Sequence, residues 1–210
     1  MRRDHLSPLT SHALPFVVFI ELTDHLRCPV AHAEQFLVLL PSRMDGRRVL
    51  EGELGCPVCG LVVTLTEGVV DWGEAPPSVG RTGLTAEAVA VFLGLSGPGG
   101  YVALVGSIAV LAPELAERLP GIRLVLVNPP AGTPDSEAAS VLRAPTLPLK
   151  TGSMRGAVLG ADLGGSAVWV DASVASVLPG LRVVVEGGEP PKLGVEVLAS
   201  SDVCWVGRKS

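Results

Sequence analysis

Charge is scarce in this 210-residue chain. Asp, Glu, Lys and Arg make up 18 % of it, against 48 % hydrophobic residues and a mean hydropathy of +0.47. Such a composition excludes a disordered chain and leaves a folded or a membrane-embedded one. Positive charge is the scarcer sign: 16 Lys and Arg face 21 Asp and Glu, giving a net charge of −5 and a pI near 5.4. A nucleic-acid surface spread over the whole molecule is therefore not expected. An unbroken membrane span is lacking too. Ala88–Pro113 carries no charge and is long enough to span, but SGPGG at 96–100 interrupts it, and its halves read as a helix and then a strand. The start, MRR followed by ALPFVVFI, mimics a secretory signal, yet the apolar run is short and Asp24, His25 and Arg27 follow it. The expected location is the cytoplasm. Cysteine is limited to four residues, two of them in a Cys-x-x-Cys, which fits a reducing compartment and a metal better than disulfides.

What is there divides into four stretches. Residues 1–12 read as a flexible tail, 13–73 as a β-rich zinc-ribbon domain, 74–83 as a linker (EAPPSVGRTG), and 84–210 as an α/β domain. In the ribbon, FVVFIEL at 16–22 reads as a strand or short helix. QFLVLL at 35–40, a turn at SRMDG and a return from Arg48 to Gly52 read as one hairpin. LVVTLTEGVVDW reads as a second, turning near Glu67-Gly68. Two knuckle sequences flank the first hairpin, Cys28-Pro-Val-Ala-His32 and Gly55-Cys56-Pro-Val-Cys59-Gly60. Cysteines two residues apart place both sulfurs on one metal from a tight turn, and Cys-x-x-x-His reaches the same tetrahedral centre. The expected cofactor is Zn²⁺ on Cys28, His32, Cys56 and Cys59, with His25 as the alternative fourth ligand.

Residues 14–73, through GCPVCG and EGVVDWG, resemble the small zinc-ribbon activator subunit of tRNA, ribosomal and release-factor methyltransferases and its bacterial relatives. The first knuckle departs from that pattern, with His32 in place of a cysteine. The resemblance implies a protein-binding role, shielding the apolar surface of a methyltransferase.

Beyond Thr85, a suitable helix cap with Glu87 in the first turn, apolar strands alternate with helices. Strands are expected at 101–106, 122–127, near 143–146, at 156–161 and at 181–186. Helices are expected to Leu95, at 112–119, at 135–142 and at 166–177, and a closing antiparallel hairpin at 193–199 and 203–207. The expected fold class is α/β: the zinc ribbon, then a Rossmann-like, mostly parallel sheet with helices on both faces. Three segments, VALVGSIAVLAPELAERLPGIRLVLVNPP, LPLKTGSMRGAVL and VLPGLRVVVEG, fall in the order that resembles class I S-adenosylmethionine-dependent methyltransferases, over residues 84–208.

That resemblance implies a cofactor turn after the first strand, with an acidic residue near the strand end and a Gly-x-Gly-x-Gly pattern. Here the positions hold Leu104, Gly106, Ile108 and Val110. β-Branched side chains stand where glycines leave room for the cofactor and adopt unusual backbone angles. The second strand ends in Asn128 where a carboxylate is expected, and Met154 and Arg155 replace an aromatic and an acid. Asp162 reads as a polar loop residue or helix-start carboxylate, Cys204 as a core thiol, and Trp169 and Trp205 as core or interface. The expectation is a methyltransferase-like pseudoenzyme with no catalytic or cofactor-binding residues and S-adenosylmethionine not bound. It would work as a homodimer or with a protein partner, without membrane or nucleic acid. The alternative is an active S-adenosylmethionine-dependent methyltransferase with a rebuilt site.

Overall fold

The structure is a computed structural model that describes residues 17–134 and 136–210. The tail at 1–12 and the start of the ribbon segment, 13–16, lie outside the described residues.

The N-terminal stretch forms β1 (Val18–Phe19), a 3-10 turn at Ile20–His25, and four strands, β2 (Val38–Asp45), β3 (Arg48–Gly55), β4 (Val62–Thr66) and β5 (Val69–Asp71). The first hairpin is longer than its sequence suggests. Ser42, Arg43 and Met44 stay in β2, and only Gly46-Arg47 turn. Irregular register at Pro41 and Arg43 absorbs the proline, which has no amide to give to the ladder.

The rest comprises α1 (Ala86–Leu93), β6 (Tyr101–Val105), a 3-10 turn at Gly106–Leu111, α2 (Ala112–Arg118), β7 (Arg123–Val127), β8 (Ala139–Arg143), β9 (Met154–Leu159), α3 (Ala161–Gly164), α4 (Ala167–Ser176), β10 (Val177–Glu186), β11 (Val195–Ser200) and β12 (Cys204–Lys209). Thr85 caps α1 by accepting from the Ala88 amide, and Gly94 ends it in the left-handed conformation. The helix expected at 135–142 is instead the strand β8. Its alanines favour helix locally, but Ala139–Leu142 pairs along β7 and is buried, so tertiary contacts override propensity.

Among the described residues, twelve strands join one mixed sheet, in the order β1-β3-β4-β5-β8-β7-β6-β9-β10-β12-β11, with β2 outside β3. The join is parallel pairing of β5 with β8, Val69 opposite Val141 and Asp71 opposite Arg143. The strands from β5 to β10 in this order are mutually parallel, and β12 and β11 close the sheet antiparallel.

Alternate residues feed two cores. Tyr101, Ala103 and Val105 of β6 face a layer holding Trp169, Val170 and Val174 of α4. Val102 and Leu104 face α1 and α2 through Val89, Leu93 and Leu115. Among the described residues, the N-terminal stretch forms no separate core. Val18, Leu22, Leu26, Cys28, Val49, Leu54, Cys56 and Leu65 belong to the α4-side cluster. A cation joins the two parts: Arg123 at the start of β7 lies 3.7 Å from the Phe19 ring centroid and donates to Glu21 at 2.9 Å. Among the described residues no helix is long and apolar enough to cross a membrane.

Candidate functional site

The two knuckles meet. Cys56-Pro-Val-Cys59 is a tight turn closed by the Gly60 amide donating to the Cys56 carbonyl at 3.0 Å. The other knuckle is held by the loop after β8. The Arg27 amide donates to the Pro148 carbonyl, the Lys150 amide to that of His25, and Arg27 Nε to that of Leu147. One ligand atom each from Cys28, His32, Cys56 and Cys59 then falls within 4.8 Å of the others, a cluster able to hold a metal ion. Cys28 Sγ is 3.6 Å from Cys59 Sγ, and Cys56 Sγ is 3.4 Å from His32 Nε2. His32 Nδ1 bonds the Ala33 carbonyl at 2.7 Å, which turns Nε2 toward the sulfurs. His25 is elsewhere: its ring packs against Tyr101 with centroids 5.2 Å apart.

The thiols differ in environment. Burial, with Cys59 and Cys56 alongside, pushes the Cys28 thiol up to about 11. Burial acts the same way on Cys56 but is outweighed by the amides of Cys59 and Val58 and by the thiols of Cys59 and Cys28, which bring it down to about 6. The Ala33 carbonyl, then the neighbouring cysteines, raise His32. Beside the cluster, a cleft of about 200 Å³ runs between the first knuckle and α4, with Leu147, Trp169 and Ala172 in its wall.

The second place to expect a ligand is the crevice outside the carboxyl ends of β6 and β9, where the strand order reverses. The chain fills it. Gly106 turns at φ +73, and Ser107, Ile108 and Ala109 follow with no exposure. The segment is a 3-10 turn and not an open glycine loop, so Ile108 joins the same core cluster as Leu104. This corrects the placement of Ile108 in cofactor space; Val110, half-buried, is the residue facing outward there. Asp162, in the first turn of α3, accepts from the Ser107 amide and from Ser107 Oγ at 2.8 Å. Gly160 leaves no room for a Cβ against Ser107 Oγ. Asn128 is also committed internally. At φ +51 and 1 % exposure, it donates to the Ala144 carbonyl and accepts from the Ala144 amide, both at 2.9 Å. It locks the ends of β7 and β8, with its side-chain amide nitrogen and oxygen both engaged by Ala144.

Cys204 and Trp205 are buried in β12, and Trp169 is buried on α4. Sequence reasoning missed the Asp162–Ser107 contact and the burial of Glu186 under Thr82 and Gly83. The signal for the first was Gly160 two residues before Asp162, a glycine demanded by the close approach of Ser107.

No protein-family model matches the chain, and none of the curated proteins does. Among solved structures, it is similar to the antibiotic-resistance methyltransferase Kmr, at 15 % identity and a TM-score of 0.42, over 63 % of this chain and 97 % of that one. It is similar to a SAM-dependent methyltransferase from Aquifex aeolicus at 14 % identity and a TM-score of 0.44, over 59 % and 88 %. It is also similar to a chain in the complex between the Haloferax volcanii Trm112 methyltransferase activator and the putative methyltransferase, at 11 % and 0.45, over 60 % and 88 %.

Proposed function

We propose that this protein is a non-catalytic, zinc-binding protein with a methyltransferase-like sheet, serving as a structural or protein-interaction module through a second copy or a protein partner. The observation that carries this reading is a contact at the crevice floor: Ser107 is fully buried and its amide and hydroxyl are both given to Asp162. A cofactor there would have to displace a carboxylate already holding charge-assisted hydrogen bonds. Leu104 and Asn128 supply no outward carboxylate for a cofactor's ammonium or ribose hydroxyls.

The zinc ribbon then has a structural task. Three sulfurs and one imidazole nitrogen form a donor set suited to closed, tetrahedral zinc, in which sulfurs lie about 3.8 Å apart when Zn–S is about 2.3 Å. The Cys28–Cys59 separation of 3.6 Å agrees with that spacing. Zinc on Cys28, His32, Cys56 and Cys59 would tie the two knuckles together and leave no open coordination position for chemistry. The ribbon resembles an activator of methyltransferases, and its β5 extends the sheet of its own α/β portion. It would thus cover that sheet edge in cis. A cytoplasmic location suits cysteines that serve as metal ligands and not as disulfides.

Isothermal titration with S-adenosylmethionine tests the reading. The expected result is no binding, or a dissociation constant of about 1 mM or weaker; one below about 50 μM would promote the active-enzyme alternative.

A further inference from the structure

Residues 72–83 do not cross open solvent between the ribbon and α1. They follow the carboxyl ends of the strands, over β8, β7, β6 and β10 in turn. At β8 the Trp72 amide donates to the Arg143 carbonyl at 2.8 Å. At β7, Pro76, Pro77 and Ser78 face Asn128 and Pro129 across a cleft of about 260 Å³. Small-molecule pockets begin near roughly 300 Å³, so this residual space is below that range. At β6, Gly80 lies against Val110 and Pro130, each 3.7 Å from where a Cβ would be. At β10, Thr82 Oγ1 donates to Glu186 at 2.8 Å, and the Gly83 amide donates to the same carboxylate. Glu186 is 5 % exposed, and among the described residues no cation pairs with it.

We propose that residues 74–83 are a strap that closes the crevice in cis, latched at Glu186 over an inner plug formed by Asp162 and Ser107. The inference rests on the reading of the crevice as closed to S-adenosylmethionine. The latch works because a buried carboxylate needs donors, and the donors Glu186 has are on the strap. Lifting the strap would strand the charge, so strap and carboxylate hold each other. The plug is separate from the strap, since Asp162 and Ser107 bond each other from α3 and the turn after β6 with no residue of 74–83 between them. A ligand for the carboxyl edge of this sheet would therefore have to break two separate contacts, and the strap, held mainly at its two ends, is the one that opens first.

Hydrogen–deuterium exchange on the full chain tests this, comparing wild type with Glu186→Gln and Thr82→Val. Thr82→Val leaves the β10 core untouched, so it remains informative if the Glu186 variant folds poorly. In wild type, the amides of Gly83 and Leu84, which donate to Glu186 and to Thr82 Oγ1, should be protected. Thr82→Val removes the bond to Glu186 and the acceptor of the Leu84 amide together; at Gly83, whose own acceptor is untouched, exchange should speed up by about tenfold or more, the loss expected for one hydrogen bond to a charged group. Amides of β6 and Ser107 should be unchanged, and binding of 8-anilinonaphthalene-1-sulfonate should rise. An unprotected Gly83 amide in wild type, or unchanged exchange at Gly83 in a folded Thr82→Val, would overturn the strap. The two failures are separable. Tight S-adenosylmethionine binding by wild type removes the closed-crevice reading, whereas unchanged exchange without such binding removes the strap alone.

Discussion

The Asp162 carboxylate lies across the amide of Ser107, with Oδ1 at 2.9 Å and Oδ2 at 3.0 Å. These residues are 55 positions apart, and their contact staples the turn after β6 to the end of β9. Gly106 makes the approach possible. It sits at φ +73, and a Cβ on it would stand 2.5 Å from Asp162 Oδ1.

Gly106→Ala should therefore cost more than backbone strain. The left-handed conformation alone accounts for about 1–2 kcal/mol. Displacing Asp162 adds a further loss of roughly 1.5–3 kcal/mol for its hydrogen bonds. Urea melts should show the larger total in the single variant. Gly106→Ala in an Asp162→Ala background should lose only the strain component. Equal losses in both backgrounds would show that the two residues are not coupled.

Asn128 should be a stability residue and not a damaged cofactor ligand. Asn128→Ala leaves the amide and carbonyl of Ala144 unpaired in the interior, a loss of about 2–5 kcal/mol. Asn128→Asp keeps one acceptor but sets a carboxylate against the Ala144 carbonyl, so it should also destabilise and should confer no S-adenosylmethionine affinity. Denaturant melts and calorimetry on the same two variants check both points.

Protein purified without chelator should contain one zinc per chain by elemental analysis. Cys56→Ser should lower the metal content and destabilise the entire molecule, because Cys56 sits in the core shared with the parallel strands. A metal-free, well-folded wild type would remove the assignment.

Glu21 predicts an acid-side loss of stability. Burial pushes its carboxyl up, but a backbone hydrogen bond, Arg47 and Arg123 outweigh this and hold it at about 2, below its ordinary 4.5. A depressed carboxyl contributes stability that is full above about 4.5 and declines as pH falls toward 2. The side chain is 34 % exposed. Solvent screening therefore keeps the contribution on the order of 1 kcal/mol or less. Glu21→Gln should lower stability above about pH 4.5 by that amount and flatten the profile below it, so that the difference from wild type closes as pH falls toward 2.

The shared core predicts one melting transition for the ribbon and the α/β portion together. Val70, fully buried on β5 beside β8, is the probe. Val70→Asp buries a carboxylate without a partner and should lower stability by about 3 kcal/mol or more, in a single transition seen equally by near- and far-ultraviolet circular dichroism. Two separated transitions would show that the parts fold independently.

The sequence by itself determined what depends on near neighbours. Continuous apolar runs at 101–105, 124–127 and 183–185 marked strands buried on both faces, and alternate residues there do feed separate cores. Thr85 and Gly94 bounded α1 because capping is a local hydrogen bond and a local φ. The knuckle spacing brought Cys56 and Cys59 to one point, and with Cys28 and His32 it named the four residues that converge. The tertiary structure decided what depends on partners distant in sequence. Ala139–Arg143 is a strand because β7 and β5 flank it, although its composition favours helix. Asn128 turns inward because Ala144 offers it both a donor and an acceptor. Composition marks 74–83 as a linker; its course along the strand ends follows from Glu186, 104 positions beyond Thr82, standing where the strap can reach it. No periodicity or motif encodes that meeting, because it exists only once the parallel register has set every strand end on the same edge.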